Sequence, residues 1–174
     1  MKYLIVLLAT FIFMEPACGQ PPANRPPVKN DAFDKELTRL LSFSVPTIGV
    51  QELRDIQNEV YIFDAREEEE YLASHIEGAR YLGYKNFDKQ ALASVPQGAK
   101  VVLYCSVGYR SEKIGERLQK MGFTDVNNLY GSIFEWVNQG YPVVGPDGKP
   151  TLKVHTYNAK WSRWVDNDKA EKVW

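Results

Sequence analysis

The run Val101-Val102-Leu103-Tyr104, followed at once by Cys105-Ser106-Val107-Gly108-Tyr109-Arg110 and then by the helically spaced Ile114, Leu118 and Met121, decides how this chain is read. Four consecutive apolar or aromatic residues make a buried strand, and the thiol at its end opens a tight loop. That loop runs into a helix predicted over 111–121 and closed by Gly122. A strand, a loop and a helix start in this order aim backbone N–H groups and the positive helix end at the sulfur, and Arg110 adds a full charge. Each contribution favours thiolate over thiol. The one other cysteine is Cys18, inside a leader-like segment, so Cys105 is read as a reactive thiol and not as half of a structural disulfide.

On either side of this run, short strand-like and helix-like segments alternate. Strands are expected over 47–50, 60–63, 79–82 and 126–129, and helices over 51–56, 66–73, 87–94 and 133–139. Glu67 to Glu70 form four consecutive glutamates that suit the first turn of a helix, where negative charge is favoured. The alternation predicts an α/β domain with a mainly parallel central sheet and helices on both faces. In such domains reactive groups gather beyond the carboxyl ends of strands, where Cys105 stands.

With 174 residues, 44% of them hydrophobic and 25% charged, the chain suits one domain with short extensions. Its formal charge of −1, with acids and bases interspersed, gives no basic face for nucleic acid. Lys2 followed by the apolar run from Tyr3 to Met14 reads as a signal peptide over 1–19, too short for the ~20 residues of a spanning helix. Pro16-Ala17-Cys18-Gly19 resembles a bacterial lipoprotein signal, with Cys18 as the lipidated residue and Glu15 as the departure from that pattern; cleavage after Gly19 is the competitor. Either route predicts an exported, periplasmic or cell-envelope protein, touching a membrane only through a lipid on Cys18. Residues 20–44 read as a proline-rich tether and a short helix carrying Phe33, Leu37, Leu40 and Leu41 on one side. Residues 143–174 form an aromatic extension in which Trp161, Trp164 and Trp174 are expected to clamp the tail on the domain.

The stretch Phe63-Asp64-Ala65-Arg66-Glu67, then Glu70-Tyr71, then His75-Ile76-Glu77-Gly78-Ala79, and about thirty residues later the Cys105 loop, together resemble the rhodanese homology domain of sulfurtransferases over 45–142. Trp136 and Gly140-Tyr141-Pro142 are similar to that family's closing helix and exit. The resemblance implies a cysteine that takes a sulfane sulfur from a donor, becomes a persulfide and passes the sulfur to a thiophilic acceptor. Cys105 would be the nucleophile, and the backbone N–H groups of Ser106, Val107, Gly108, Tyr109 and Arg110 would cradle the anion. Arg110 would lower the thiol pKa; the competing reading is a surface arginine paired with a glutamate. Asp64 and Arg66 match a structural ion pair, and His75 a hydrogen-bonded structural position. Ser106 and Ser111 would bond within the loop, or Ser111 would cap the helix. No cofactor is implied, and His75 and His155 alone support no metal site.

Three functions stay open at this point: a sulfurtransferase, a cysteine-dependent phosphatase or arsenate reductase on the same fold, and a non-catalytic interaction module. Phosphatases of this fold have one residue more between cysteine and arginine than the four here, which favours sulfur. Partners would be a small sulfur donor, a thiol or cyanide acceptor, or a protein persulfide. Ser106, Val107 and Tyr109 are uncharged and Tyr109 crowds the mouth, so slow thiosulfate turnover is expected.

Overall fold

The computed structural model describes residues 21–174; the signal-peptide reading and Cys18 lie outside the described residues. Strands β1 (Thr47–Ile48), β2 (Tyr61–Asp64), β3 (Arg80–Tyr81), β4 (Lys100–Tyr104) and β5 (Asp125–Leu129) form one sheet in the order β1-β5-β4-β2-β3. Every pairing in it is parallel, with Phe63 opposite Leu103 and Val102 opposite Asn127. Side chains alternate across the sheet as the strand period requires. Ile62, Val102 and Tyr104 join the core under α1 (Asp31–Leu40), α2 (Val50–Ile56) and α5 (Ser132–Asn138). Phe63, Val101 and Leu103 join the core under α4 (Tyr109–Lys120). Helix α3 (Glu68–Ala73) follows β2.

Several boundaries move for local reasons. The helix expected from 111 begins at Tyr109, because Gly108 takes the N-cap position at φ 108°, open to glycine and strained for other residues. Ser111 is therefore not the cap. The helix expected over 87–94 shrinks to a 3-10 turn at Lys89–Leu92, capped by Asp88 and stopped short by Pro96, with Leu92 and Val95 buried in the core. Glu67, not Arg66, opens the third helix, in a reciprocal capping box with Glu70.

The two extensions fold onto the domain. Phe33 and Leu37 of α1 are fully buried, so this helix belongs to the core. The segment read as a tether is held from Arg25 onward. Arg25 pairs with Asp34, while Lys29 reaches Glu135 Oε1 through its N–H (2.9 Å) and Asp166 through its ammonium (2.9 Å). After α5 come a hairpin of β6 (Val143–Val144) and β7 (Pro150–Thr151), then β8 (Lys153–His155), α6 (Ala159–Ser162) and β9 (Glu171–Val173). β8 pairs parallel with β9 and lies against α3. Of the three tail tryptophans, Trp161 and Trp164 are half-buried against the core, Trp164 stacked on Phe33 at 5.3 Å. Trp174 is exposed, and Trp161 faces the cleft described below.

Candidate active site

Cys105 stands one residue past the carboxyl end of β4 and is almost wholly buried. Its N–H donates to Ser132 Oγ (3.2 Å), and the Gly108 N–H donates to its sulfur (3.1 Å). The loop is tied down from two sides. The Cys105 and Ser106 carbonyls accept from the N–H groups of Ile133 (3.2 Å) and Phe134 (3.3 Å) at the start of α5. The Gly108 carbonyl accepts from Asn128 Nδ2 (2.9 Å) and Ser111 Oγ (3.1 Å). Ser132 holds a left-handed φ of 54° while its hydroxyl meets Leu129 O (3.1 Å), a strained residue beside the Cys105 thiol. Sequence reading missed Asn128 and Ser132. Both follow from the sheet order, which brings the end of β5 beside the end of β4.

Burial pushes the Cys105 thiol up, but the Arg110 charge and the N–H groups of Ser111 and Val107 outweigh it. The net effect holds the thiol below its ordinary value, the direction a nucleophile needs near neutral pH. Arg110 does not face the sulfur alone. Its two terminal nitrogens bind Glu70 as a fork at 2.5 and 2.7 Å, and one of them also reaches Ser106 Oγ (3.0 Å). The pairing with a glutamate, the competing reading of Arg110, is thus present, though inside the site and not on the surface. Glu70 is 1% exposed, takes Ser106 Oγ at 3.2 Å and accepts the Glu67 N–H at 3.0 Å. Burial pushes its carboxyl up, and the arginines Arg110 and Arg66 with the Glu67 N–H bring it below the usual value. The run of four glutamates disguised it; the Glu67-to-Glu70 capping spacing was the one signal that this glutamate differs from its neighbours.

Behind this layer Arg66 and Asp64 form a fully buried ion pair. Arg66 Nε contacts both Asp64 oxygens at 3.0 Å, and its Nη2 bridges to Asp64 (2.7 Å) and the Ser74 carbonyl (2.6 Å). The pair therefore locks the end of β2 to the end of α3, the helix that presents Glu70. His75 stacks on Tyr71 with centroids 4.0 Å apart, its Nδ1 lies 3.1 Å from Tyr71 O, and its backbone pairs with Val144. It is not among the residues lining the cleft over Cys105.

A match to the rhodanese-like domain covers residues 49–139, more than half of the chain. The chain belongs to the rhodanese-like family. It is 34% identical over 100 residues to the probable adenylyltransferase/sulfurtransferase MoeZ of Mycobacterium tuberculosis, a stretch of 55% of this chain and 26% of that protein. It is 37% identical over 57 residues to a sulfurtransferase of Allochromatium vinosum, 33% of this chain and 53% of the relative. The chain thus spans from about a quarter to about half of these relatives. Among solved structures, the rhodanese-like domain of Alr3790 from Anabaena superposes with a TM-score of 0.54 at 22% identity, over 57% of this chain and 79% of that one, which supports the fold.

The rhodanese-like core supplies Cys105, its loop, Glu70 and Arg110, while the cleft above them draws on more of the chain. This cleft of about 260 Å³ reaches Cys105, Ser106 and Val107 at its floor. Tyr109, 41% exposed, stands at its rim, with Tyr84 and Lys85 from the segment after β3. Leu40, Tyr157 and Trp161 come from outside the matched residues, and the Tyr157 ring lies 5.3 Å from the Arg110 guanidinium. None of Leu40, Tyr84, Lys85, Tyr157 and Trp161 was marked for the site by sequence reading, because only the fold brings them to Cys105.

Proposed function

We propose that this protein is a sulfurtransferase that carries a sulfane sulfur as a persulfide on Cys105. The observation that carries this reading is the Gly108 N–H at 3.1 Å from the sulfur, in a short loop where the start of the following helix and its Arg110 favour an anion. The Cys105 thiolate attacks the terminal sulfur of a donor; a Cys105 S–S bond forms, and the donor's bond to that sulfur breaks with its electron pair leaving on the donor. An acceptor thiolate or cyanide then attacks the outer sulfur, and Cys105 departs as thiolate. The two steps balance without an external oxidant. Similarity to MoeZ and to the Allochromatium sulfurtransferase supports the chemistry at the level of class. A phosphatase reading is disfavoured because both terminal nitrogens of Arg110 are engaged by Glu70 instead of forming an open fork for an oxyanion.

Intact mass after incubation with thiosulfate or inorganic polysulfide tests the proposal. A gain of about 32 Da, removed by cyanide and absent in Cys105→Ser, is expected. A folded protein that gains no sulfur from either donor removes the reading. The leader adds a second proposal, export with a lipid on Cys18; a mature Cys18→Ser protein that still partitions with membranes would defeat the lipid.

A further inference from the structure

One wall of the cleft over Cys105 is built by the C-terminal extension, outside residues 49–139. The Asn158 side chain caps α6 by accepting the Trp161 N–H at 3.2 Å and so sets the placement of that indole. Tyr157, just before the cap, holds a φ of 66° that side-chain-bearing residues rarely adopt, and its N–H donates to His155 Nδ1 (3.1 Å). In that conformation its ring lies over Arg110. Leu40, Tyr84 and Tyr109 line the cleft with these two aromatics.

Charge and size together narrow the donor. Arg110 and Lys85 are the cations around the cleft and Glu67 and Glu70 the anions, so these four formal charges cancel and the Cys105 thiolate adds a further negative one. A dianion such as thiosulfate meets no surplus of positive charge there, whereas an apolar body meets aromatic faces. The cleft, at about 260 Å³, exceeds the ~150 Å³ that suffices for a benzene ring.

We propose that the site takes organic sulfane donors, R–S–S⁻ or R–SO2–S⁻ with an aromatic or branched apolar R, in preference to thiosulfate, and that Trp161 and Tyr157 set this preference. The proposal rests on the persulfide reading of Cys105. The Cys105 thiolate bonds to the sulfane sulfur while the donor's S–S bond breaks, and the electron pair leaves as R–S⁻ or the sulfinate R–SO2⁻. No proton, oxidant or reductant is consumed.

The test is single-turnover loading of Cys105 in the full chain, followed by mass, with benzenethiosulfonate, methanethiosulfonate and thiosulfate. Each rate is divided by that of the same donor with a free small thiol, which removes intrinsic reactivity. The expected normalised benzene-to-methane ratio is about tenfold or more, with thiosulfate slowest. Trp161→Ala should lower that ratio about threefold to tenfold and Trp161→Phe should restore most of it. A ratio near one in the natural protein, a ratio untouched by Trp161→Ala, or thiosulfate loading as fast as the aromatic donor would each overturn the donor assignment while leaving sulfur transfer in place. Loading by none of the three in folded protein would remove the persulfide reading and this proposal with it.

Discussion

Replacing Arg110 with alanine leaves the Glu70 carboxylate inside the protein without its strongest partner. Glu70 is 1% exposed, and the variant would keep only the Ser106 hydroxyl at 3.2 Å and the Glu67 N–H at 3.0 Å in place of a two-pronged contact at 2.5 and 2.7 Å. Breaking a buried pair from one side costs roughly 3–5 kcal/mol; the Arg110 side chain is 14% exposed, so the lower end, about 3 kcal/mol, applies. With an m-value of about 2 kcal/mol/M, the urea midpoint should fall by about 1.5 M, read through the fluorescence of tryptophans that include the buried Trp136. The cost should depend on pH in a definite sense. In the natural protein the Glu70 pKa is lowered, so its contribution is present above the unfolded carboxyl pKa of about 4.3 and is lost as pH falls. Without Arg110, burial dominates and raises the folded pKa, so the penalty grows as pH rises through that value. The difference between the two proteins should therefore be largest near pH 7.5 and shrink towards pH 5. Adding Glu70→Gln to the variant should recover much of the loss. A cost below about 1 kcal/mol at pH 7.5, or an equal cost at both pH values, would refute the argument.

The same Arg110→Ala protein should show a higher Cys105 pKa in alkylation rate against pH, since the arginine is the largest influence that lowers it; an unshifted curve would remove that role. Gly108→Ala should cost about 1–2 kcal/mol in urea unfolding, because φ is 108° while the added Cβ would meet Leu41 and Asn128 only at an ordinary 3.5 Å. A neutral result would show that the loop relaxes. Arg66→Met should cost about 3–5 kcal/mol by stranding a fully buried Asp64, and a loss under 1 kcal/mol in the same assay would show that the carboxylate finds another partner.

Local order was legible in the chain where residue type and period act over a few positions. The strand 101–104, the thiol at its end, the helix face of Ile114 and Leu118, and the β-α alternation follow from apolar patterning, and the parallel sheet with helices on both faces follows from the alternation. The sequence also placed Cys105 and Arg110 together, because they are five positions apart, with Arg110 in the first turn of α4. Glu70 lies 40 positions from Arg110, and the Asp64–Arg66 lock that positions its helix acts through backbone contacts that no spacing reveals. Ser132 and Asn128 reach the loop because β5 pairs with β4. Tyr157 and Trp161 reach the cleft because the tail folds back against α3. What surrounds the sulfur beyond its own loop and Arg110 was thus decided by tertiary structure: burial of two separate apolar faces sets where distant segments meet, and charge pairing and aromatic contact arise only after they have met.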